Sequence, residues 1–187
     1  MPRAANGVHI DTLNFSRNAI VKAINKLKPN LASGQDDLPP LLFKRLRTCL
    51  AEPLSMMFSS FFSIHQVPSV WSKAIVTPVF KSVSSCDVAN HRPILLTCVE
   101  SKLMERVITT RVQDYLRMHN KHQHGFLSRY STVTNLLEFV NDWTLALNNS
   151  QSVMVAYMDY AKAFDVVCHK KLISKLCAYG IAGDLIE

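Results

Sequence analysis

The sequence predicts an α+β fold, in which helices and short strands alternate without a regular strand–helix–strand repeat. Most apolar residues recur every three or four positions, as in amphipathic helices, whereas residues 71–80, 93–97 and 152–158 have the pattern of strands. Of 187 residues, 48% are hydrophobic and 19% are charged, which is typical of a globular chain and not of a disordered one. This length favours one domain.

The first helix is predicted from a cap and a repeat. Asp11 or Thr12 can cap it, because a short polar side chain can accept a bond from the first free N–H groups of a helix. Apolar residues then recur at helical spacing as far as Leu27, and the dipeptide Lys28-Pro29 ends the segment. A loop rich in proline and aspartate, with one glycine and one asparagine, follows over residues 29–40.

Two prolines set the limits of the next helical block. Pro40 suits the first position of a helix, where the N–H that proline lacks would be unpaired anyway. The apolar block then runs from Leu41 to about Ile64. Because a proline inside a helix removes a hydrogen bond and clashes with the preceding turn, Pro53 is expected to divide this block into two helices.

A pair of strands is predicted in the middle of the chain. Residues 71–80 have strand character, with Pro78 at an edge or a bulge because proline cannot donate to the sheet ladder. A polar connection over residues 81–91 leads to a second strand at residues 93–97. The two strands are expected to pair as a hairpin with a long loop.

A helix, a loop and a second helix are predicted to follow the hairpin. Residues 100–118 have helical character, and residues 119–130 form a basic loop. The three histidines of this loop fit no standard zinc-ligand spacing and have no cysteine near them, so a basic loop is favoured over a zinc site. Ser131 can cap the second helix, which runs to about Leu147.

The apolar run at residues 152–158 is consistent with a buried strand, and it ends at Asp159. A carboxylate at the end of such a strand is held rigidly, and hard divalent cations prefer oxygen ligands held in this way. From spacing alone, capping of the following turn is the commoner role for such a residue. A last helix is predicted over residues 169–178, with Gly180 as its left-handed stop.

Charge and cysteine content narrow the functional classes. Lys and Arg number 21 against 14 Asp and Glu, which gives a formal net charge of +7. This excess favours a polyanionic partner, either nucleic acid or an anionic membrane surface. The five cysteines include no C-x-x-C pair, which argues against a secreted disulfide framework and a cysteine-based zinc site. No stretch approaches the length of a membrane-spanning helix, and the first residues lack the apolar core of a signal peptide.

The string YMDYAKAFDVVCH, residues 157–169, resembles the first catalytic motif of reverse transcriptases from non-LTR (LINE-type) retrotransposons, and the jockey-like elements are most similar. Earlier segments resemble further motifs of the same family in the same order, namely residues 28–39, 67–81, 90–105 and 123–137. Each motif alone is weak, but five in order at plausible spacing are a strong signal. The resemblance covers residues from about 20 to 187.

The resemblance implies a partial reverse transcriptase domain over residues 1–187. Residues 1–150 would form the fingers and connecting helices of a right-hand polymerase fold, and residues 151–187 the start of the palm. The second catalytic motif of the family, an aromatic residue, any residue and then Asp-Asp, does not follow Asp159. The chain is therefore expected to be truncated before the rest of the palm sheet and the thumb.

The resemblance also implies the chemistry of an RNA-directed DNA polymerase, which transfers nucleotides with two Mg2+ ions. Asp159 would be the catalytic metal ligand, and the carbonyl oxygen of Tyr160 a second ligand. Asp165 is interpreted as a turn residue or a supporting group and not as a metal ligand.

Three further residues match positions that bind the incoming nucleotide in the family. Lys81 and Arg92 would hold its triphosphate, because both side chains suit phosphate oxygens. Phe164 would abut the sugar and exclude a ribose 2′-hydroxyl. A solvated charge at the first two positions, and core packing at the third, are the alternative interpretations.

By the same resemblance, the partners are an RNA template, a DNA primer and deoxynucleoside triphosphates, with no membrane, and the location is the nucleus or the cytoplasm. With one carboxylate of a triad, the chain is expected to be inactive alone. The alternative is a catalytically dead remnant that acts at most as a basic nucleic-acid-binding module. The predicted strand 152–158 would need a partner chain to cover its edges.

Overall fold

The structure, a computed structural model, describes residues 10–80, 90–117, 122–161 and 163–186. These residues divide into two compact units. The N-terminal unit comprises residues 11–112 with residues 183–185, and the C-terminal unit comprises residues 113–182 with Ile10 and Ile186. Helices together with one small sheet agree with the predicted α+β class.

The first helix of the N-terminal unit, α1, spans Arg17–Asn25 and is capped by Ser16. The Ser16 hydroxyl accepts a bond from the Ala19 N–H at 3.3 Å. The prediction that Asp11 or Thr12 caps this helix is therefore wrong. The backbone just before α1 is held by α3, because the Ser55 hydroxyl donates to the Phe15 carbonyl at 2.5 Å.

Two helices, α2 (Pro40–Arg45) and α3 (Arg47–Ser63), follow the first loop. Pro40 occupies the first turn of α2, which confirms that prediction. Pro53 does not divide the block, because α3 continues through it and the break lies at Leu46. The carbonyl that loses its partner at Pro53 is that of Cys49, an exposed residue in the first turn of α3, where water can replace the missing N–H.

Helices α1 and α3 pack against each other in the core of the N-terminal unit. Aromatic side chains meet edge to face there, with ring centroids 5.9 Å apart for Phe15 and Phe58 and 6.0 Å apart for Phe58 and Trp71. Such pairs contribute about 0.5–1.5 kcal/mol beyond the burial of their area. The buried apolar residues of this core are Phe15, Ile20, Ala23, Ile24, Leu27, Phe43, Ala51, Leu54, Phe58, Val99, Leu103, Met104 and Val107.

Two antiparallel strands, β1 (Ile75–Phe80) and β2 (His91–Leu96), form the predicted hairpin. The first strand begins later than predicted, because residues Ser69–Ser72 form a short 3-10 helix. In a sheet of two strands both are edge strands, so Pro78 can lie opposite Pro93 without breaking an interior ladder. Of the connection predicted over residues 81–91, residues 81–89 lie outside the described residues, and His91 already belongs to β2.

Helix α4 spans Val99–Arg117, as predicted within one residue. Its start is packed against the loop before α2, where Gly34 approaches the backbone very closely. A Cβ atom on Gly34 would lie 2.5 Å from the Cys98 nitrogen and 2.6 Å from the Thr97 carbonyl carbon. Only glycine fits such an approach without a shift of the backbone.

The C-terminal unit contains α5 (Thr132–Asn148) and α6 (His169–Ala178). Ser131 caps α5 as predicted and exchanges bonds with Thr134 in a capping box. Gly180 follows α6 with a φ of 90°. The Gly180 N–H donates to the Cys177 carbonyl at 2.9 Å and the Ile181 N–H to the Leu176 carbonyl at 3.1 Å, a Schellman cap that confirms the predicted stop.

The predicted buried strand at residues 152–158 does not form. These residues are neither helical nor in a ladder with any described segment, and their side chains are exposed, Met154 at 97% and Tyr157 at 89%. The run has the composition of a strand, but a strand also needs a hydrogen-bonding partner and a surface to pack against.

A search of the helices in the described part of the chain finds no candidate for a membrane span.

Candidate active site

Asp159 lies in an exposed irregular segment of the C-terminal unit, immediately after the apolar run. Tyr160 beside it is also exposed, and Asp165 lies in a series of turns that leads to α6. The carboxylate oxygens of Asp159 and the carbonyl oxygen of Tyr160 are the type of donor that Mg2+ prefers. The described residues, however, contain no group of three or more His, Cys, Asp or Glu that could hold a metal ion. Asp159 is thus one metal-ligand candidate and not a complete site.

Phe164 lies in the same turns and has an aromatic neighbour that sequence reasoning missed. Its ring is 79% exposed and meets Phe126 edge to face, with centroids 6.1 Å apart and planes at 89°. Phe126 is itself 84% exposed and has a φ of 63°, which is rare for a residue with a side chain. The Gln113 amide donates to the Phe126 carbonyl at 3.3 Å and holds this turn.

One predicted nucleotide-binding residue, Arg92, lies in the other unit. Arg92 is on β2 of the N-terminal unit, exposed and opposite Val79 on β1. Lys81 lies outside the described residues. The structure therefore gathers Asp159, Tyr160, Phe164 and Asp165 in one segment of the C-terminal unit and puts Arg92 on the hairpin of the N-terminal unit.

The basic loop at residues 119–130, called the histidine loop below, is bound to α5 by Glu138. The sequence did not indicate a role for this residue. Its carboxylate lies 2.5 Å from His122 Nδ1 and 2.6 Å from His124 Nε2. His124 is buried, and its other nitrogen lies 3.0 Å from the Thr134 hydroxyl. The bonds from His124 and His122 hold the pKa of Glu138 below its usual value. These two hydrogen bonds fix the loop that carries Phe126. His119, the third histidine of the loop, lies outside the described residues.

Neither Phe126 nor Glu138 carries a signal strong enough to assign its role from sequence. Phe126 belongs to the fourth motif-like segment, and Gly125 before it is a sign of a turn. Its contact with Phe164 depends on a positive φ that residue type does not predict. Glu138 lies on α5, where a carboxylate is usually interpreted as solvated charge.

Comparison with known proteins identifies the family to which these motifs correspond. The family model described as "Reverse transcriptase (RNA-dependent DNA polymerase)" matches residues 81–187, more than half of the chain. The matched range includes Asp159, Tyr160, Phe164 and Asp165, and also Lys81 and Arg92.

Curated relatives come from mobile elements of insects. The chain is 30% identical over 168 residues to the RNA-directed DNA polymerase from mobile element jockey of Drosophila melanogaster, which covers 88% of this chain and 18% of that protein. It is 28% identical over 161 residues to the probable RNA-directed DNA polymerase from transposon BS of the same fly, 84% of this chain and 18% of that protein. A third relative, from the type-1 retrotransposable element R2 of Popillia japonica, is 25% identical over 89% of this chain and 22% of its own length. The chain thus spans about a fifth of these relatives.

Proposed function

This chain belongs to the reverse transcriptase family, and we propose that it carries the first catalytic aspartate, Asp159, of an RNA-directed DNA polymerase of the non-LTR type. The observation that carries this proposal is the string at residues 157–169, which lies within the range matched by the family model. The family implies the fingers and palm fold of polymerases. Within that fold, we assign residues up to about 150 to the fingers and connecting helices, and residues 151–187 to the start of the palm.

The exposure of the Asp159 segment supports this role. A metal ligand in a polymerase must face a cleft that admits primer, template and nucleotide, and Asp159 and Tyr160 are exposed. Because the described residues contain no group of three or more such ligands, the remaining metal ligands would come from other parts of a longer protein. In reactions of this class, two divalent cations, usually Mg2+, stabilise the attacking and leaving oxygens. The chain alone is therefore expected to be inactive.

The surroundings of Phe164 support its role as the residue that contacts the nucleotide sugar. A residue that excludes a 2′-hydroxyl must be exposed toward the nucleotide and must not yield, because steric exclusion by a movable ring is weak. Phe164 is exposed, and its edge-to-face contact with Phe126 gives the ring a neighbour, which supports this role. Arg92 and Lys81 would supply positive charge to the triphosphate, Arg92 from the exposed surface of the hairpin.

The test is primer extension by the protein encoded by the open reading frame that contains this chain. The full protein is expected to extend a DNA primer on an RNA template in the presence of Mg2+. Asp159→Ala should reduce extension to background, because the loss of the carboxylate removes a negatively charged metal ligand. Asp142→Ala, which removes an exposed carboxylate from α5, is the matched control and should leave extension unchanged. Full activity of Asp159→Ala would refute the proposal.

A second candidate function is sequence-independent binding of nucleic acid by a catalytically dead chain. The net charge of +7, and the lack of a group of three or more metal-ligand residues among the described residues, favour it. Such binding should weaken steeply with salt, because phosphate contacts release counterions. It should also be the same for the wild type and for Asp159→Ala. If the encoded protein binds RNA in this way and never extends a primer, this second function is the correct one.

A further inference from the structure

A cavity of about 300 Å3 lies within the C-terminal unit, between the end of α4, the histidine loop and α6. This volume is at the lower end of the roughly 300–1,000 Å3 that is typical of small-molecule sites. Asp159, Tyr160 and Phe164 are not among the described residues that line it. The cavity is therefore distinct from the candidate active site.

Leucines from three segments make the walls of the cavity apolar. Leu116 comes from α4, Leu127 from the loop, and Leu172 and Leu176 from α6. The residues that α6 contributes are spaced by three or four positions, so one face of this helix forms one wall. An apolar chain or ring would displace water from such walls favourably.

Hydrogen bonds between the walls indicate that the cavity is preformed. The Tyr115 hydroxyl donates to the Tyr179 carbonyl at 2.8 Å and joins α4 to the end of α6. Arg117 Nη2 donates to the hydroxyl of Ser128 at 2.8 Å and to its carbonyl at 3.2 Å, which joins α4 to the loop. A preformed site loses less conformational entropy when a ligand binds.

The charged groups among the described residues that line the cavity are all positive. Arg117 and Lys175 line it, together with the amides of Gln113 and Gln123, and no Asp or Glu is among the described lining residues. Arg117 Nε is buried and has no hydrogen-bond partner in the described part of the chain. Two cations beside apolar walls favour a ligand with an anionic group at one end and an apolar body at the other.

We propose that this cavity binds a small amphipathic carboxylate. Its apolar body would lie against the four leucines, and its carboxylate would lie near Arg117 and Lys175. This inference goes beyond the proposed polymerase function, since it involves no template, primer or nucleotide.

The experiment is a titration of the 187-residue chain with octanoate, followed through the assigned leucine methyl signals in NMR spectra. We expect saturable shifts at Leu116, Leu127, Leu172 and Leu176. Lys175→Gln should weaken octanoate binding about three- to fivefold, as loss of a partly exposed ion pair does. Lys171→Gln makes the same change of charge on α6 outside the cavity and should leave the affinity unchanged.

1-Octanol, which has the same chain without the charge, tests the role of the carboxylate. It should bind more weakly than octanoate, and Lys175→Gln should not affect it. Equal binding of the two compounds would overturn the proposal and leave an apolar groove, of the kind that accepts a side chain of another protein. Equal loss in both lysine variants, or shifts spread over α5 and residues 152–158, would overturn it as well. Circular dichroism of each variant checks that the fold is intact.

Discussion

At the scale of single residues, close contacts determine what the chain tolerates. Gly34 has no room for a Cβ atom because the backbone at Thr97 and Cys98 lies 2.5–2.6 Å from where that atom would be. Gly125 is different, since its nearest neighbour is the amide tip of Gln123 at 3.3 Å, the flexible end of a side chain. Two glycines in one chain thus offer a direct comparison.

Gly34→Ala is expected to destabilise the chain by about 1–3 kcal/mol, because the added methyl group would force the loop away from the start of α4. Gly125→Ala should change stability by less than about 0.5 kcal/mol, because a side-chain tip can move aside. Urea unfolding of the two variants beside the wild type measures both values. Equal stability of the two variants would show that the loop does not pack so closely.

At the scale of elements, the sequence predicts best where one local rule decides the outcome. The Ser131 cap, the Pro40 start and the Gly180 stop each follow from local chemistry, and the structure confirms all three. The predictions for Pro53 and for residues 152–158 were wrong, because both depend on tertiary structure. Water reaches the helix face at Pro53, and residues 152–158 have no strand beside them in the described part of the chain. The candidate site follows the same division.

Motif residues could be named from the sequence at that site, but their supports could not. Asp159 and Phe164 lie in a string that resembles a catalytic motif, one of five such segments in order along the chain. Phe126 and Glu138 act through contacts with residues 38 and 14–16 positions away in the chain, and only the fold brings these together.

The start of α4 should respond to pH through Glu100. Burial, and then the neighbouring Asp36, raise the pKa of this carboxyl group above its ordinary value of 4.5. The folded chain therefore holds this proton more tightly than the unfolded chain does. The stabilising contribution is complete below the ordinary pKa and is lost as pH rises through the raised one.

Urea midpoints measured from pH 4.5 upward should accordingly fall for the wild type within that window. Glu100→Gln should flatten this part of the profile, because glutamine does not titrate. Glu52→Gln, an exposed position on α3, should follow the wild-type curve. A profile for Glu100→Gln that keeps the wild-type slope would assign the pH dependence to another group.

At the scale of the whole molecule, apolar residues are distributed unevenly between the two units. Helices α1 and α3 bury a core, whereas α5 and α6 contain no buried residue. Large exposed apolar side chains are frequent on α5 and in residues 152–158. An apolar surface of this kind marks an interaction site or an aggregation hazard. We propose that other parts of a longer protein, or a partner chain, cover it.

Hydrogen exchange should reveal this difference in burial. Amides of α1 and α3 are expected to exchange slowly, and those of α5 and α6 faster, because local opening costs less where few apolar contacts are broken. Mass spectrometry of peptides from each helix measures the rates. Equal protection of α3 and α5 would contradict the difference in packing. A partner that covers α5 should slow its exchange selectively.

The bridge between Ile10 and Ile181 has a consequence for the order of folding. The Ile10 N–H donates to the Gly180 carbonyl and the Ala182 N–H to the Ile10 carbonyl, both at 3.0 Å, and so joins positions 171 residues apart. Closing a loop of that length costs about 4.5 kcal/mol of chain entropy, while two bonds return only about 1–3 kcal/mol. We therefore expect the bridge to form late, after the Schellman cap has fixed residues 180 and 181, when burial of the Ile10 and Ile181 side chains adds to the two bonds.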